Sequence, residues 1–361
     1  MKITRFKTTL VDVPLENPIA TAIHQLKSVG YVLLELETDQ GLIGESCVLT
    51  MNTVRLKALH EMLLSFAHQV EGRDPHFVAR IWQDIWNEMN SIGHKGFSIA
   101  ALTAIDVACW DLVGKAAGLP LHKVFGACRE QVSTYASGGL WLSQSIDSLV
   151  GEAAGFIDAG FRSMKIRLGK PTISEDVERV RALRDAIGPE IGLLADANQS
   201  LAVKHAIRLG RELEQFNLDW FEEPVIYHNH RGCAEVRAAL DTPIAAGETE
   251  YTRYGMRDIL EAGAVDVLMP DLQRIGGLSE MRRVAALASC YEVPVSTHIF
   301  TEYSLCIAGS EANCISVEHM PWNAALFNES MELKEGMIVL SDCPGTGFSF
   351  DKRAIKRFSV A

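Results

Sequence analysis

Seven ionisable residues recur at nearly regular intervals from residue 165 onwards. They are Lys165, Asp196, Glu222, Glu248, Asp271, His298 and Glu318. From Asp196 the intervals are 26, 26, 23, 27 and 20 residues, about the length of one strand, one helix and their loops. Each residue stands at or just beyond the end of a short apolar run that is typical of a buried strand. The spacing therefore predicts seven ionisable groups around one cavity.

Three of these residues are acids at the ends of consecutive predicted strands. Asp196, Glu222 and Glu248 could supply three oxygen ligands to one cation, and magnesium is a hard cation that takes a few carboxylates while keeping several waters. The sequence has no clustered cysteine and histidine residues that would favour a softer metal. Any one acid could instead form a salt bridge at the rim, but three adjacent carboxylates would repel one another without a cation. We predict one Mg²⁺ per active site.

Asp271 and His298 end the next two predicted strands. The aspartate could accept a hydrogen bond from one imidazole nitrogen and turn the other nitrogen toward the cavity, as a general base near neutral pH. A lone histidine is more often a satisfied core residue, but the neighbouring acids favour a base. Lys165 and Arg167 are two residues apart on one strand, so both point into the same space. They are interpreted as a cationic clamp for a substrate carboxylate, with a salt-bridged pair among rim acids as the alternative.

The predicted strands and helices that position these residues follow two different patterns along the chain. Residues 1–125 contain two strand-like runs, Thr4–Val13 and Val29–Thr38, joined by a polar stretch and followed by longer helical patterns. From about Gln131, short apolar strands alternate with amphipathic helices. The predicted strands are Val132–Ser137, Ser163–Leu168, Gly192–Asp196, Asp219–Glu222, Ile244–Glu248, Val265–Pro270, Val293–His298 and Ser316–Glu318.

Eight such strands predict a closed barrel, whose strand ends converge on one mouth. An open doubly wound sheet is less favoured, because no glycine-rich phosphate loop follows any predicted strand. The last stretch, from about Glu332, is strand-like and rich in turns.

Composition limits the classes of partner. The chain has 361 residues, 48% hydrophobic and 22% charged, with a net charge of −12, which argues against binding nucleic acid or an anionic membrane. No secretory signal is evident, and no uncharged apolar run reaches the roughly 18 residues of a membrane helix. The eight cysteines form no C-x-x-C pair and are predicted to be buried, reduced thiols, with structural disulfides as the alternative. We expect a cytoplasmic protein that acts on a small molecule.

Seven short motifs in order resemble the mandelate racemase subgroup of the enolase superfamily. They are MKIRLG at 164–169, ADANQS at 195–200, WFEEP at 220–224, AGE at 246–248, MPDLQRIGG at 269–277, STHIF at 296–300 and VEH at 317–319. Each motif alone is weak, but seven in order at βα spacing are highly specific. The resemblance covers essentially the whole chain.

The resemblance implies an α/β fold, a modified TIM barrel of the (β/α)7β type over residues 126–331. An α+β capping domain of residues 1–125 would close over it, with the tail 332–361 folding back onto that cap. The family's metal ligands fall on Asp196, Glu222 and Glu248, its His–Asp dyad on His298 and Asp271, and its carboxylate-polarising acid on Glu318. A homo-oligomer and a small hydroxy-carboxylate substrate are also implied.

Further substrate contacts are implied by the same resemblance. Asn198 matches a polar residue of the family's site, and the segments 19–27 and 50–55 would cover the substrate and select it. His24, in the first of these segments, is a candidate specificity residue. An exposed loop histidine without a ligand is the alternative for His24.

One position departs from the family's racemase, which has lysine at both ends of a K-x-K pattern and uses the second as a base. Here the second position is Arg167, and a guanidinium stays protonated in almost any setting. Racemisation needs a base on each face of the carbon, so it is disfavoured. Arg167 is expected to bind the distal end of the substrate, to pair with Glu222 or Glu223, or to modulate Lys165.

A dehydratase needs only one base. His298 would take the proton beside the carboxylate and, as imidazolium, protonate the departing β-hydroxyl, while Mg²⁺, Lys165 and Glu318 stabilise the enediolate, the known pattern of this superfamily. The segment LFNE at 326–329 also resembles sugar-acid dehydratases of the subgroup. We therefore predict a Mg²⁺-dependent dehydratase of an aldonic or aldaric acid that yields a 2-keto-3-deoxy acid.

Two alternatives stay open. A cycloisomerase, or a racemase or epimerase of a hydroxy acid, would use the same enediolate. A non-catalytic metal-binding barrel is disfavoured, because all the expected ligands and the dyad are present.

Overall fold

The computed structural model describes residues 1–23 and 25–360, apart from the side chains of Glu16 and Asn17. Its centre is a closed barrel of eight parallel strands in chain order, sealed where the last strand pairs with the first. The strands are β4 Gln131–Ala136, β5 Ser163–Arg167, β6 Gly192–Asp196, β7 Trp220–Glu222, β8 Ile244–Ala246, β9 Val267–Leu268, β10 Val295–Thr297 and β11 Cys314–His319. The predicted barrel is confirmed, with each strand within a few residues of its predicted bounds.

Helices connect the barrel strands and surround them, as expected for parallel strands that need right-handed crossovers. They are α5 Ile146–Asp158, α6 Ile173–Ile187, α7 Val203–Leu213, α8 His230–Ala239, α9 Thr252–Glu261, α10 Leu272–Ile275, α11 Leu278–Ser289 and α12 Thr301–Ser310. Side-chain caps mark the starts of four of these helices. Helix α6, for example, begins with a capping box in which Thr172 and Glu175 satisfy each other's backbone N–H groups.

Inside the barrel the strands alternate between an apolar layer and a polar layer. The apolar layer contains Tyr135, Leu194, Trp220, Ala245, Val267 and Met269. Two residues further along β6 and β7, the same inward face carries Asp196 and Glu222. The site is thus a polar layer stacked on a packed apolar layer, at the carboxyl ends of the strands.

The N-terminal unit consists of an antiparallel sheet and the helices that follow it. The sheet has strands in the order β1 Ile3–Ala20, β2 Gln25–Thr38 and β3 Ile43–Met51. Its helices are α1 Leu56–Ser65, α2 Val78–Glu88, α3 Phe97–Ala117 and α4 Leu121–Val124. A separate apolar core lies between the sheet and helices α1–α3.

Two expectations for this unit are corrected. The connection predicted over 19–27 is much shorter, because the buried residues Ile19 and Leu26 pair across the β1–β2 ladder. Strand β3 was not predicted, since Gly44, Glu45 and Ser46 interrupt its apolar pattern; pairing with β2 overrides that local signal.

The tail returns to both parts of the molecule. A hairpin of β12 Glu332–Lys334 and β13 Met337–Val339 pairs antiparallel with β4 on the barrel. Helix α13, Lys352–Phe358, packs against β1, and the N–H of Val360 donates to the carbonyl of Leu10 at 3.0 Å.

Helix α3 is long and apolar enough to cross a membrane by length and composition alone, but 83% of its most apolar stretch is buried inside the protein. The apolar sequence of α3 is interrupted by Asp106 and Asp111. Asp106 accepts a hydrogen bond from Ser279, and Asp111 accepts one from Thr346. Helix α3 is therefore the core helix of the N-terminal unit. All eight cysteines are free thiols, as predicted, but the prediction that they are buried holds for only five, because Cys128, Cys290 and Cys343 are exposed.

Candidate active site

A cavity of about 70 Å³ lies between the mouth of the barrel and the N-terminal unit. The barrel side contains the predicted residues Lys165, Arg167, Asp196, Asn198, Glu248, His298 and Glu318. Glu222 lies one step deeper, fully buried behind Lys165. Asp271 reaches the cavity through His298. The structure thus brings together all of the predicted barrel residues.

Lys165 is the hub of the polar layer. Its Nζ lies 2.5 Å from Glu222 Oε1, 2.9 Å from Glu318 Oε1 and 3.7 Å from Asp196 Oδ2. Burial alone would lower the pKa of Lys165, but the negative charges of Glu222 and Glu318 raise it well above its ordinary value. Lys165 is consequently a fixed ammonium and a hydrogen-bond donor.

The three acids of β6, β7 and β8 are held in different ways. Asn198 donates to Asp196 from its backbone N–H at 2.7 Å and from its side-chain amide at 2.9 Å, and Trp220 Nε1 donates to Glu222 Oε2 at 2.9 Å. Burial, together with repulsion from Asp196 and other nearby acids, raises the pKa of Glu222 to about 8 against the opposing charge of Lys165. A divalent cation would stabilise the ionised form of acids that are buried and close to one another.

The donor chemistry of Asp196, Glu222 and Glu248 therefore fits magnesium, since all three supply carboxylate oxygens from adjacent strand ends. Within residues 1–23 and 25–360, no three acid, histidine or cysteine side chains converge closely enough to share one ion in this arrangement. Lys165 instead bonds to Glu222, and its Nζ lies 3.7 Å from Asp196 Oδ2.

The His298 imidazole bridges acids on three strands. Its Nδ1 is 2.7 Å from Asp271 Oδ2, and its Nε2 is 3.2 Å from Glu248 Oε2 and 3.9 Å from Glu318 Oε2. The other oxygen of Asp271 accepts the N–H of Arg274 at 2.9 Å, so the N-terminus of α10 orients this carboxylate. Burial would lower the pKa of His298, but Glu248 and Asp271 raise it to about 9.

Glu318 is an ionised acceptor. It accepts hydrogen bonds from Ser137 Oγ at 2.5 Å and from the N–H of Ile299 at 2.8 Å. Burial would raise its pKa, but the positive charges of Lys165 and His298 bring it well below the ordinary value.

Arg167 lies over the ring of Trp141, with its guanidinium carbon 4.4 Å from the ring centre. One terminal nitrogen donates to Ser137 Oγ at 2.8 Å, and Nε lies 3.7 Å from Asp196 Oδ2 without a hydrogen-bond partner among the described residues. The ion pairs of Arg167 are with Asp196 and Glu318, and none is formed with Glu222 or Glu223 in the part of the chain described.

Several pocket residues were not singled out in the sequence. Glu223, next to Glu222 in the WFEEP motif, is buried and accepts hydrogen bonds from Gln199 Nε2 at 2.9 and 3.0 Å. The remaining ones on the barrel side are Trp141, Thr249, Arg274, Ile299, Met320 and Trp322. The doubled acid gave a signal for Glu223, whereas the aromatic residues stand in loops without a pattern.

The N-terminal unit supplies an apolar wall from the described residues Ile19, Ile23, Leu26 and Met51, with Thr21 beside them. Met51 represents the segment 50–55 in this wall, while Val54 is 83% exposed. His24 lies outside the described residues.

Family models match most of the chain. Residues 4–126 match the mandelate racemase / muconate lactonizing enzyme N-terminal domain, and residues 148–354 match the enolase C-terminal domain-like model. The chain belongs to the mandelate racemase / muconate lactonizing enzyme family. The resemblance predicted from the seven motifs is thereby confirmed.

Relatives of known activity cover the whole chain. D-galactarolactone cycloisomerase of Agrobacterium fabrum is 32% identical over 100% of this chain and 99% of its own length. L-talarate/galactarate dehydratase of Salmonella typhimurium is 32% identical over 96% of this chain and 89% of its own length. A structure of that dehydratase with Mg and L-lyxarohydroxamate has a TM-score of 0.96 at 31% identity, covering 100% of this chain and 93% of the other.

Proposed function

We propose that this family member is a Mg²⁺-dependent hydro-lyase that dehydrates an aldonic or aldaric acid to a 2-keto-3-deoxy acid. The observation that carries the proposal is the His298–Asp271 pair at 2.7 Å, set in one cavity with Lys165 and with Arg167 in place of a second basic lysine. One base and a fixed guanidinium suit elimination better than racemisation. The activity of the Salmonella relative supports the same class.

In this proposal Asp196, Glu222 and Glu248 hold Mg²⁺, which when bound supplies Lewis-acid stabilisation of the substrate carboxylate. Neighbouring structures that contain Mg support this cofactor. The ammonium of Lys165 donates a hydrogen bond to the carboxylate as negative charge accumulates on it. Lys165 must turn from Glu222 toward the substrate to do so.

His298 provides the proton transfers. A pKa of about 9 leaves His298 protonated at neutral pH, so the imidazole must first lose the proton that Glu248 and Asp271 stabilise. Asp271 holds Nδ1, and the deprotonated Nε2 can then take the proton beside the substrate carboxylate. The same nitrogen then gives that proton to the β-hydroxyl, which leaves as water. The resulting enol tautomerises to the keto acid. An ionised Glu318 cannot donate a hydrogen bond, so the polarising role implied by the resemblance requires that Glu318 gain a proton when the substrate binds.

Arg167 and Asn198 are proposed substrate-binding residues. Each has a buried polar atom without a partner in the described structure, Nε of Arg167 and Oδ1 of Asn198. Hydroxyl groups of an acid sugar would satisfy both atoms. His24 stays a candidate on the resemblance alone.

A cycloisomerase is the second candidate, because two relatives at 32% and 31% identity are named as cycloisomerases of D-galactarolactone and of 3,6-anhydro-alpha-L-galactonate. This reaction would use the same proton abstraction but expel a ring oxygen instead of a hydroxyl. The substrate, open-chain or cyclic, would distinguish the two.

The test is a screen of aldonic, aldaric, lactone and anhydro-sugar acids with Mg²⁺ in deuterated water. Keto-acid formation and exchange of the α-proton are read together. We expect keto acid from one stereochemical series of open-chain acids, and its loss by at least about 10³-fold in His298→Asn, as for removal of an essential base. His205→Asn, which alters a histidine on the outer helix α7, should leave the activity unchanged.

A cyclic acid as the sole productive substrate would favour the cycloisomerase. Exchange without elimination would revive the racemase, and full activity of His298→Asn would contradict the assigned base.

We also infer that residues 1–125 with the tail 332–361 form a capping domain over a catalytic barrel of residues 126–331. The contact of α13 with β1 supports this division for the end of the tail, whereas the hairpin of β12 and β13 pairs with β4 of the barrel. A cytoplasmic location and a homo-oligomeric assembly remain predictions; gel filtration with light scattering would test the second.

A further inference from the structure

Strand β3 is the outer strand of the N-terminal sheet, because it pairs with β2 and with no other strand in the described residues. Alternate backbone groups of such an edge strand need partners from outside the sheet. At Leu49, which is buried, both groups find one partner on the barrel. The N–H of Leu49 donates to Gln273 Oε1 at 2.6 Å, and Gln273 Nε2 donates to the carbonyl of Leu49 at 3.1 Å.

The primary amide of Gln273 thus imitates one residue of a neighbouring strand. Both polar ends of its side chain are used, and it joins residues 224 positions apart in the sequence. Two hydrogen bonds from one short side chain fix both the height and the rotation of the strand relative to the barrel.

Gln273 is also part of the helix that orients the dyad. Helix α10 begins at Asp271, whose Oδ1 caps the helix and whose Oδ2 bonds to His298. On its other side Thr103 Oγ1, from α3, lies 3.2 Å from the carbonyls of Leu272 and Gln273. One turn of helix therefore contacts the dyad and two elements of the N-terminal unit.

The strand held by Gln273 ends in the cavity wall. Met51 lies two residues after Leu49 and lines the candidate active site. It also lines a second cavity of about 170 Å³ between the two parts of the molecule, together with Leu49, Asp271 and Gln273. The strand end is held on one side by its ladder with β2, which continues through Thr50, and it has open space on the side that faces the barrel.

We propose that Gln273 is a positioning residue that sets the end of β3, and with it Met51, against the active-site cavity. It acts through the strand and does not touch the substrate. The expected effect on substrate binding rests on the proposed function, but the expected effect on the position of β3 does not. Loss of the amide should loosen the apolar wall while Asp271 keeps its contacts with Arg274 and His298, so substrate binding should suffer more than the chemical step.

The test compares Gln273→Met, which keeps the length of the side chain but removes both hydrogen bonds, with the unaltered protein. Amide hydrogen exchange in the peptide 43–51 should become roughly tenfold faster at Leu49, as expected from the loss of its acceptor. In the dehydratase assay, KM should rise roughly tenfold with kcat within about threefold. Gln273→Glu keeps the acceptor for the N–H of Leu49, so exchange there should stay slow even if the Met variant folds poorly.

Ser279→Ala is the matched control, because Ser279 bonds to Trp110 and Asp106 across the same junction but away from β3. It should lower the melting temperature without changing exchange at Leu49 or KM. Unchanged exchange at Leu49 in Gln273→Met would overturn the proposal whatever the enzyme does. Faster exchange with unchanged KM would restrict Gln273 to a structural role, and faster exchange with no substrate found would count against the proposed function only.

Discussion

Arg167 shows how one side chain limits the reactions open to a site. Its guanidinium occupies the position of the second lysine in the family's racemase, and it is wedged between Trp141 and Ser137. A guanidinium has no lone pair to accept a proton at physiological pH. Arg167 therefore disfavours two-base chemistry because it stays protonated, although it lies beside the cavity.

Replacing Arg167 by lysine tests this interpretation. The shorter amine loses the contact with Ser137 and the packing on Trp141, so dehydration should fall roughly tenfold. The neutral form of the introduced lysine can act as a second base. We therefore expect Arg167→Lys, unlike the parent enzyme, to exchange the α-proton of the epimeric acid. The measurement is proton NMR of both epimers in deuterated water. Arg167→Met should lose dehydration without gaining exchange, and equal exchange in both variants would refute the idea.

Glu302 is a buried acid outside the cavity, and its titration should be visible in the stability of the protein. Asn323 donates to its Oε2 at 3.2 Å, while Oε1 has no partner among the described residues. Burial raises its pKa from the ordinary 4.5 to about 7. The unfolded chain therefore loses this proton at lower pH than the folded chain, and folding stability falls as the pH rises from about 4.5 to about 7.

Glu302→Gln should remove that loss. Above pH 7 the variant should be more stable than the parent by up to about 3 kcal/mol, and near pH 4.5 the two should be similar. Urea unfolding at a series of pH values provides the measurement. Parallel stability curves for the two proteins would show that Glu302 keeps an ordinary pKa when folded.

The junction between helices α10 and α11 contains two glycines with positive φ, Gly276 and Gly277. Gly277 has a φ of 95°, and a Cβ built there would lie 2.7 Å from the Cβ of Asp106 on α3. Only glycine combines this backbone conformation with so close an approach of the N-terminal unit.

Gly277→Ala should consequently destabilise the protein by about 3 kcal/mol, from backbone strain and from the displaced Asp106. The control is Gly263→Ala, where φ is 61° but nothing lies within 4 Å of the added carbon; it should cost about 1 kcal/mol. Thermal unfolding of both variants decides the matter, and equal losses would mean that the close approach contributes nothing.

The sequence located site residues best where they end buried strands that recur at regular spacing. Asp196 and His298 could be located because each ends a strand whose apolar run and spacing are local properties. Strand β3 was missed because its pairing with β2 is a tertiary contact. Salt bridges of Lys165 and Arg167 with rim acids were an open alternative in the sequence. The actual partners, Glu222 for Lys165 and Asp196 for Arg167, depend on how side chains from three strands share one small space.

For the whole molecule, magnesium should act as a stabilising ligand if the three acids bind it. Binding to the folded state alone adds about 2.7 kcal/mol at a concentration 100-fold above the dissociation constant. We expect a melting temperature that rises with added Mg²⁺ and falls with a chelator. Glu248→Gln should abolish most of that rise, whereas Glu190→Gln, on the loop before β6, should preserve it. A magnesium-independent melting temperature in the parent would argue against the assigned ligands.

The seam of the barrel has a consequence for biosynthesis. One of the two barrel neighbours of β4 is β11, so Thr134 can pair with Val317 only after β11 has been synthesised. Strand β1 likewise contacts the tail only after Val360 has been synthesised. A nascent chain on the ribosome must therefore carry an unsealed sheet with exposed strand edges for most of its synthesis. Both contacts together require translation through residue 360, and a stop codon between residues 314 and 360 should yield an insoluble product.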